Sequence, residues 1–450
     1  VPKRSDDWQL GPPDLVVHLA EPYTLSGEGR DVYRNFVIPL NNRERRYVRA
    51  FEFRPASKAV HHAFLRIDSS REARRLDARD PGPGFGGMDI PPSSDTPSGH
   101  FMSWQPGRRP SVVPEGLAWT LPAGADVVLL MHMQPLGRSE MLQPSIAFYF
   151  TETPPTNTPT KIGLRSYAID LPAGSPETLI EESITLPVSA DLLGVLPHAH
   201  YLARRLEGYA KFPDGTRQTL LLIPEWDFNW QTDFRFANPV PLPAGTVISF
   251  RYTYDNSTNN ARNPSRPPVR VGFGLQTTDE MGELWLQLLT RNPADRETLE
   301  EVSARRGLRD LELITQLLLR KNPDDPEAIT EMGKVHLARG EVDTAVREWN
   351  RALALRPRLA DAHYHLGLVA LQQGEFAKAE GWFIQSAHLN PDHYQSFVNA
   401  GVACMRQGKL ARAGNHLQEA LRLHPDDSTA AANLRLVQDA IAKQRSGTRP

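Results

Sequence analysis

Cysteine is nearly absent from this 450-residue chain, which has only Cys404. A single thiol excludes an intramolecular disulfide framework and any zinc centre built on several thiolates. Net charge is equally scarce, −2 from 51 Lys and Arg against 53 Asp and Glu. No basic footprint therefore points to nucleic acid or to an anionic membrane surface. No apolar run reaches the roughly 18 residues of a membrane span. Asp and Glu are sparse around the histidine clusters described below, which argues against magnesium or calcium, whose ligands are oxygens. The chain opens on Val1 rather than Met, so it reads as a processed protein or an excised fragment.

At about 150 residues per domain the length suggests roughly three domains. Residues 1–290 are rich in short β-like runs broken by Pro and Gly: YVRAFEF (47–53), ADVVLLMHM (125–133), PSIAFYF (144–150), TVISFRYTY (246–254) and VRVGFGLQT (269–277). This spacing reads as antiparallel sandwiches or barrels. The Pro/Thr-rich stretch TETPPTNTPT (151–160) marks a boundary between two β domains, 1–155 and 156–290. LPAG occurs at 121–124 and again at 242–245, each time before a strong strand, a small echo in keeping with duplication.

From 291 to 450 the pattern turns helical and periodic. Pro323, Pro357, Pro391 and Pro425 fall at intervals of 34, in step with Gly333, Gly367 and Gly401, with Gly340, Gly374 and Gly408, and with Ala345, Ala379 and Ala413. Period and punctuation resemble a tetratricopeptide array of three full repeats over about 326–425. The small positions are expected where paired helices approach closely, with Trp349, Phe383 and Leu417 sharing the bulky place. A degenerate unit (294–322) and a final helix (about 428–444) are expected to cap the stack.

Five of the seven histidines before residue 290 form three clusters: His61 with His62, His132, and His198 with His200. In LLGVLPHAHYLARRL (192–206), side chains at i and i+2 of a strand leave the same face, so two imidazoles can grip one metal ion. His61 and His62 pose a difficulty, because adjacent strand residues face opposite ways. Both reach one ion only if the strand bulges or ends there, or if the rings bind through different nitrogens. His132 stands in an apolar strand, where a neutral structural histidine is the plain alternative. His363 and His365 also form a His-x-His pair, but in a helix i and i+2 diverge by about 200°, so they read as packing and surface residues.

Taken in order, HH (61–62), LMHM around His132, PHAH around His198 and His200, and TTDEMGELW around Met281 resemble the copper type II, ascorbate-dependent monooxygenases over about residues 10–290. That family includes peptidylglycine alpha-hydroxylating and dopamine beta-monooxygenases. The resemblance implies jelly-roll-like β-sandwiches and an electron-transfer copper on His61, His62 and His132. It also implies an oxygen-activating copper on His198, His200 and Met281, and an exported protein, periplasmic or extracellular. A soft thioether suits Cu(I), the form that meets dioxygen. Where the peptide-hydroxylating enzymes carry an arginine, an asparagine and a tyrosine for the substrate carboxylate, this chain has Leu196, Glu283 and Trp285, so a glycine-extended peptide is not the expected substrate.

The sequence thus predicts two antiparallel β-sandwich domains, each with one copper site, followed by an all-α tetratricopeptide solenoid. The expected function is hydroxylation of a C–H bond in a small-molecule or peptide-like substrate, using dioxygen and ascorbate or another one-electron reductant, with two coppers per chain. A protein partner is expected on the repeats. The alternative is a non-catalytic copper-binding module joined to a protein-interaction scaffold.

Overall fold

The computed structural model describes residues 8–87, 94–274, 276–425 and 427–446. Two compact units are present, one of residues 1–69 with 76–306 and one of residues 70–75 with 307–450.

The first unit is strand-rich. Its N-terminal half has seven principal strands: β1 (Leu15–His18), β2 (Val32–Pro39), β3 (Arg46–Arg54), β4 (Val60–Asp68), β5 (Trp119–Leu121), β6 (Asp126–Met133) and β7 (Ser145–Thr151). One sheet runs β1-β7-β3-β5, and the other has β2-β6-β4 at its centre. The apolar run of β6 is explained by its place: it pairs on both sides and every residue in it is buried. Val48, Ile146 and Phe148 from one sheet and Phe36, Leu65 and Leu129 from the other form a common core.

The second half contains β8 (Thr160–Arg165), β9 (Thr178–Thr185), β10 (Ala190–Ala199), β11 (Ala203–Lys211), β12 (Arg217–Ile223), β13 (Phe234–Leu242), β14 (Val247–Tyr254) and β15 (Gly282–Leu289). Its sheets run β8-β15-β10-β13 and β9-β14-β11-β12. In chain order, β1 to β4 correspond to β8 to β11 and β5 to β7 to β13 to β15, with β12 an addition. The pairing order is then the same in both halves. The two LPAG segments precede the equivalent strands β6 and β14, so the short echo in sequence accompanies a repeated topology.

After β15 comes a single 29-residue helix, α1 (Pro293–Lys321), in the place of the expected degenerate unit. Gly307 stays helical rather than turning the chain, because it lacks the positive φ at which the later repeats break. The two units divide within this helix, after Arg306. Its first half belongs to the strand-rich unit, with Leu299 fully buried in the core of the second half. Arg306 Nε donates to the Gly163 carbonyl at 3.1 Å, and Ser303 Oγ to that of Lys161 at the same distance.

The second unit is helical. Pairs α2 (Pro326–Ala338) with α3 (Val342–Leu355), α4 (Ala360–Gln372) with α5 (Phe376–Leu389), and α6 (Tyr394–Arg406) with α7 (Leu410–Leu423) are followed by α8 (Ser428–Ser446). A Cβ on Gly333 would lie 2.4 Å from the Trp349 indole, one on Gly367 2.7 Å from Phe383, and one on Gly401 2.7 Å from Leu417. These glycines admit the bulky side chain of the second helix. Gly340, Gly374 and Gly408 differ from the close-approach expectation: they have φ of +78°, +78° and +74° and face open space or ordinary contact. Glycine is favoured there because the chain turns through the left-handed region between helices.

Candidate metal centre

His61 and His62 lie at the start of β4, opposite the end of β6, where the register shifts. His132 faces His62 and Met133 faces Val60, which leaves His61 as the extra residue of a β-bulge. The bulge brings together rings that a regular strand would separate: the His61 and His62 centroids are 4.4 Å apart, and that of His132 lies 5.4 and 5.6 Å from them. One nitrogen from each of the three falls within 4.8 Å of the others, and all three residues are buried.

Burial shifts these rings strongly. His61 is pushed down to about 4, chiefly by desolvation and next by His132, against an opposing contribution from the Asn229 side chain. His62 is driven well below its ordinary value by burial and by the surrounding histidines. His132 is also lowered by burial, although Asp31 pulls the other way. Neutral imidazoles with free lone pairs are what a transition metal needs. Asp31 Oδ2 lies 2.8 Å from His132 Nε2. A carboxylate accepting that N–H leaves Nδ1 as the lone-pair nitrogen and fixes the ring, as in metal sites with carboxylate–histidine pairs. Neither buried nitrogen of His61 has a hydrogen-bond partner at normal distance, the Asn229 side chain making only a weak approach, a costly state that a metal ion would relieve.

The second cluster sits where β10 ends. His198 lies on the strand and His200 just past it, with ring centroids 5.2 Å apart. His200 Nδ1 is 3.1 Å from the Asp279 carbonyl, so Nδ1 carries the proton and Nε2 is left free. Burial lowers His200 to about 3, with His198 the next cause. Glu280 ties the segment of Met281 to that of His200: its buried carboxylate accepts the backbone N–H groups of His200, Leu202 and Met281, the latter two at 2.9 Å. Burial raises Glu280 to about 8 despite those bonds. The Asp279-Glu280 pair therefore positions the histidine and the methionine together.

Both clusters open on one cavity of about 210 Å³, lined among others by His62, His132, His198, His200 and Met281. The His62 and His198 rings are 6.0 Å apart. Apolar and aromatic walls come from Phe64, Leu196, Phe228 and Trp285, and Glu283 supplies a carboxylate. The strand register places Leu196 opposite Trp285 and His198 opposite Glu283. Trp285 Nε1 donates to Glu283 Oε2 at 2.8 Å, and the Arg165 guanidinium covers the indole at 4.2 Å.

Neighbours of the clusters that sequence reasoning passed over include Asp31, Phe228 and Gln231, and Tyr33, which stacks on His132 at 4.3 Å. Asp31 precedes β2 and meets His132 across 101 residues. Phe228 packs on His61 at 4.6 Å and on His200 at 5.3 Å. Gln231 joins His62 to His198, with Nε2 3.0 Å from His62 Nε2 and Oε1 2.7 Å from His198 Nδ1. Only Asp31 carried a signal, as an acidic residue beside a strand, and strand pairing was needed to find its partner. In the helical unit, His365 stacks on Trp349 at 5.1 Å and His363 Nε2 lies 3.0 Å from the Pro357 carbonyl, in keeping with packing roles. Glu380, Cys404 and His416 also cluster there, but Lys409 and Arg412 already pair with that carboxylate.

Two tetratricopeptide-repeat family models match the chain, one over residues 333–374 and one over residues 383–428. Both lie in the helical unit, which is thereby a tetratricopeptide region, and neither bears on the copper-monooxygenase resemblance of the strand-rich unit. No curated protein matches the chain. Among solved structures, the first TPR domain of human RPAP3 is 21% identical, covering 28% of this chain and 98% of its own, with a TM-score of 0.26. The Arabidopsis OM64 TPR domain is 18% identical, covering 25% and 94%, with a TM-score of 0.25. Pseudomonas aeruginosa pilF is 21% identical, covering 32% and 64%, with a TM-score of 0.29. Among the described residues no helix is long and apolar enough to cross a membrane.

Proposed function

We propose that this chain is a two-site copper protein that oxidises a substrate in its histidine-lined cavity and holds a protein partner on its tetratricopeptide repeats. The observation that carries the reading is the convergence of both ligand sets on one largely apolar cavity, since storage of an ion has no need of room beside it. His61, His62 and His132 would hold one copper, and His198, His200 and Met281 the other, in jelly-roll-like halves. Bound copper would supply one-electron redox chemistry with dioxygen, recharged by ascorbate or a similar reductant.

The chain's own residues do the positioning. Asp31 and the Asp279 carbonyl hold the His132 and His200 tautomers, and Glu280 keeps Met281 beside His200. Leu196, Phe228 and Trp285 give the cavity its apolar walls. The charged group on the cavity wall is Glu283, itself paired with Arg165 at 3.6 Å, so a neutral, weakly polar molecule fits best. Export follows from the same reading, because oxidising copper chemistry is ordinarily kept outside the cytoplasm.

The family matches favour the interaction scaffold more directly than the oxidation, so a non-catalytic copper module on that scaffold is the second reading. Oxygen uptake by the copper-loaded chain, with ascorbate and a panel of neutral substrates, separates the two. Substrate-dependent uptake that collapses in Met281→Ile, a change of similar bulk, supports the enzyme. Two coppers bound with no uptake for any substrate would leave the scaffold reading.

A further inference from the structure

We infer that Gln231 couples the two halves of the centre through one amide group, so that the sites load in order rather than independently. The inference rests on the two-site copper reading and extends it to how the ligands are prepared.

The orientation of the amide is set by a third contact. Gln231 Nε2 donates to the Phe228 carbonyl at 2.9 Å, so the NH₂ end cannot be exchanged with the oxygen without setting two acceptors against each other. The remaining N–H then points to His62 Nε2 at 3.0 Å, and Oε1 lies 2.7 Å from His198 Nδ1. An amide oxygen accepts only, so His198 carries its proton on Nδ1 and keeps Nε2 free. An amide N–H donates only, so the lone pair of His62 Nε2 is already taken and its proton lies on Nδ1. Gln231 is 2% exposed, and water does not readily replace either bond.

The two imidazoles are therefore prepared differently. His198 is ready to ligate as it stands. His62 is held off whichever nitrogen it uses: a metal at Nε2 competes with the amide for the same lone pair, and a metal at Nδ1 moves the proton to Nε2, where it faces an N–H. Turning the amide around would release His62 but present NH₂ to His198 Nδ1, shifting that proton to the nitrogen needed for metal. One amide cannot serve both rings. The His198, His200 and Met281 site loads first, and loading of the other requires the Gln231 bridge to break.

The test is an anaerobic Cu(I) titration of the full chain against a colorimetric chelator, with tautomers read from ¹⁵N shifts of labelled histidine. In the metal-free protein His62 and His198 are both expected as the Nδ1–H form. The first Cu(I) should perturb His198 and His200, and the second should bind at least about tenfold more weakly, within the usual range of coupling between sites. Gln231→Leu should tighten the second site several-fold, the effect of removing one net hydrogen bond. The inference is overturned by a metal-free His198 with its proton on Nε2, by equal affinities in the wild type, or by an unchanged ratio in a Gln231→Leu chain that binds two ions. A wild-type chain that binds no Cu(I) overturns the copper reading itself, and an unfolded Gln231→Leu leaves the wild-type tautomers and order of loading to decide.

Discussion

At the scale of single residues, the candidate ligands are held by groups that do not themselves line the cavity. Asp31 is the clearest case, because its carboxylate decides which His132 nitrogen is free. Asp31→Asn is expected to weaken Cu(I) binding at the His61, His62 and His132 site by about 10- to 100-fold, while the His198, His200 and Met281 site keeps its affinity. Loss at both sites, or at neither, would show that Asp31 has no such role. A second residue-scale prediction concerns acid. In the helical unit, His365 is lowered to about 4 by burial and Lys334, and His393 and His416 are lowered by burial. A histidine whose folded pKa is depressed contributes stability that is present above its unfolded value of about 6.5 and is lost as pH falls toward the folded value. The melting temperature should therefore fall between pH 6.5 and 4, and His365→Gln should fall less steeply. The helical unit is the cleaner place to look, because in the strand-rich unit the raised Glu280 pulls the other way across part of that window.

At the scale of elements, glycines of similar appearance in the repeats do opposite things. Gly367→Ala drives a methyl to 2.7 Å from the Phe383 ring and should cost about 1–3 kcal/mol through overpacking. Gly381 lies in the interior of α5 with nothing within 4 Å of a new Cβ. Gly381→Ala should stabilise by roughly 0.5–1 kcal/mol, because alanine loses less backbone freedom in a helix. Denaturant melts of the two variants check the difference in sign; a Gly367→Ala chain as stable as wild type would refute the close approach. The repeat period, the bulky positions and the glycine spacing were all legible in the sequence. The two reasons for glycine were not, because spacing does not distinguish a close contact from a positive φ. The β-bulge at His61 was legible only as one of several ways past a geometric difficulty.

At the scale of the molecule, α1 does not respect the change of composition near residue 290. Its first half covers the core of the strand-rich unit through Leu299. A chain ending at residue 306 should keep the stability of that unit, while one ending at 290 should melt lower and expose apolar surface. Leu299→Ala in the full chain should cost about 2–5 kcal/mol. Equal melting temperatures for the two shortened chains would show that the helix contributes nothing to the β core.

The sequence alone determined what depends on local order: helix-pair repeats from a fixed period, strands from alternating and apolar runs, and same-face histidines from spacing of two. It also held the order of motifs that resembles copper monooxygenases. Only the tertiary structure decided which strands pair, and with that the facts that matter most at the site. Asp31 meets His132, and Gln231 meets both His62 and His198, across 101, 169 and 33 residues of chain. A hydrogen bond between such distant residues leaves no mark in composition or periodicity, because it depends on strand register and loop path, which the packing of two cores sets.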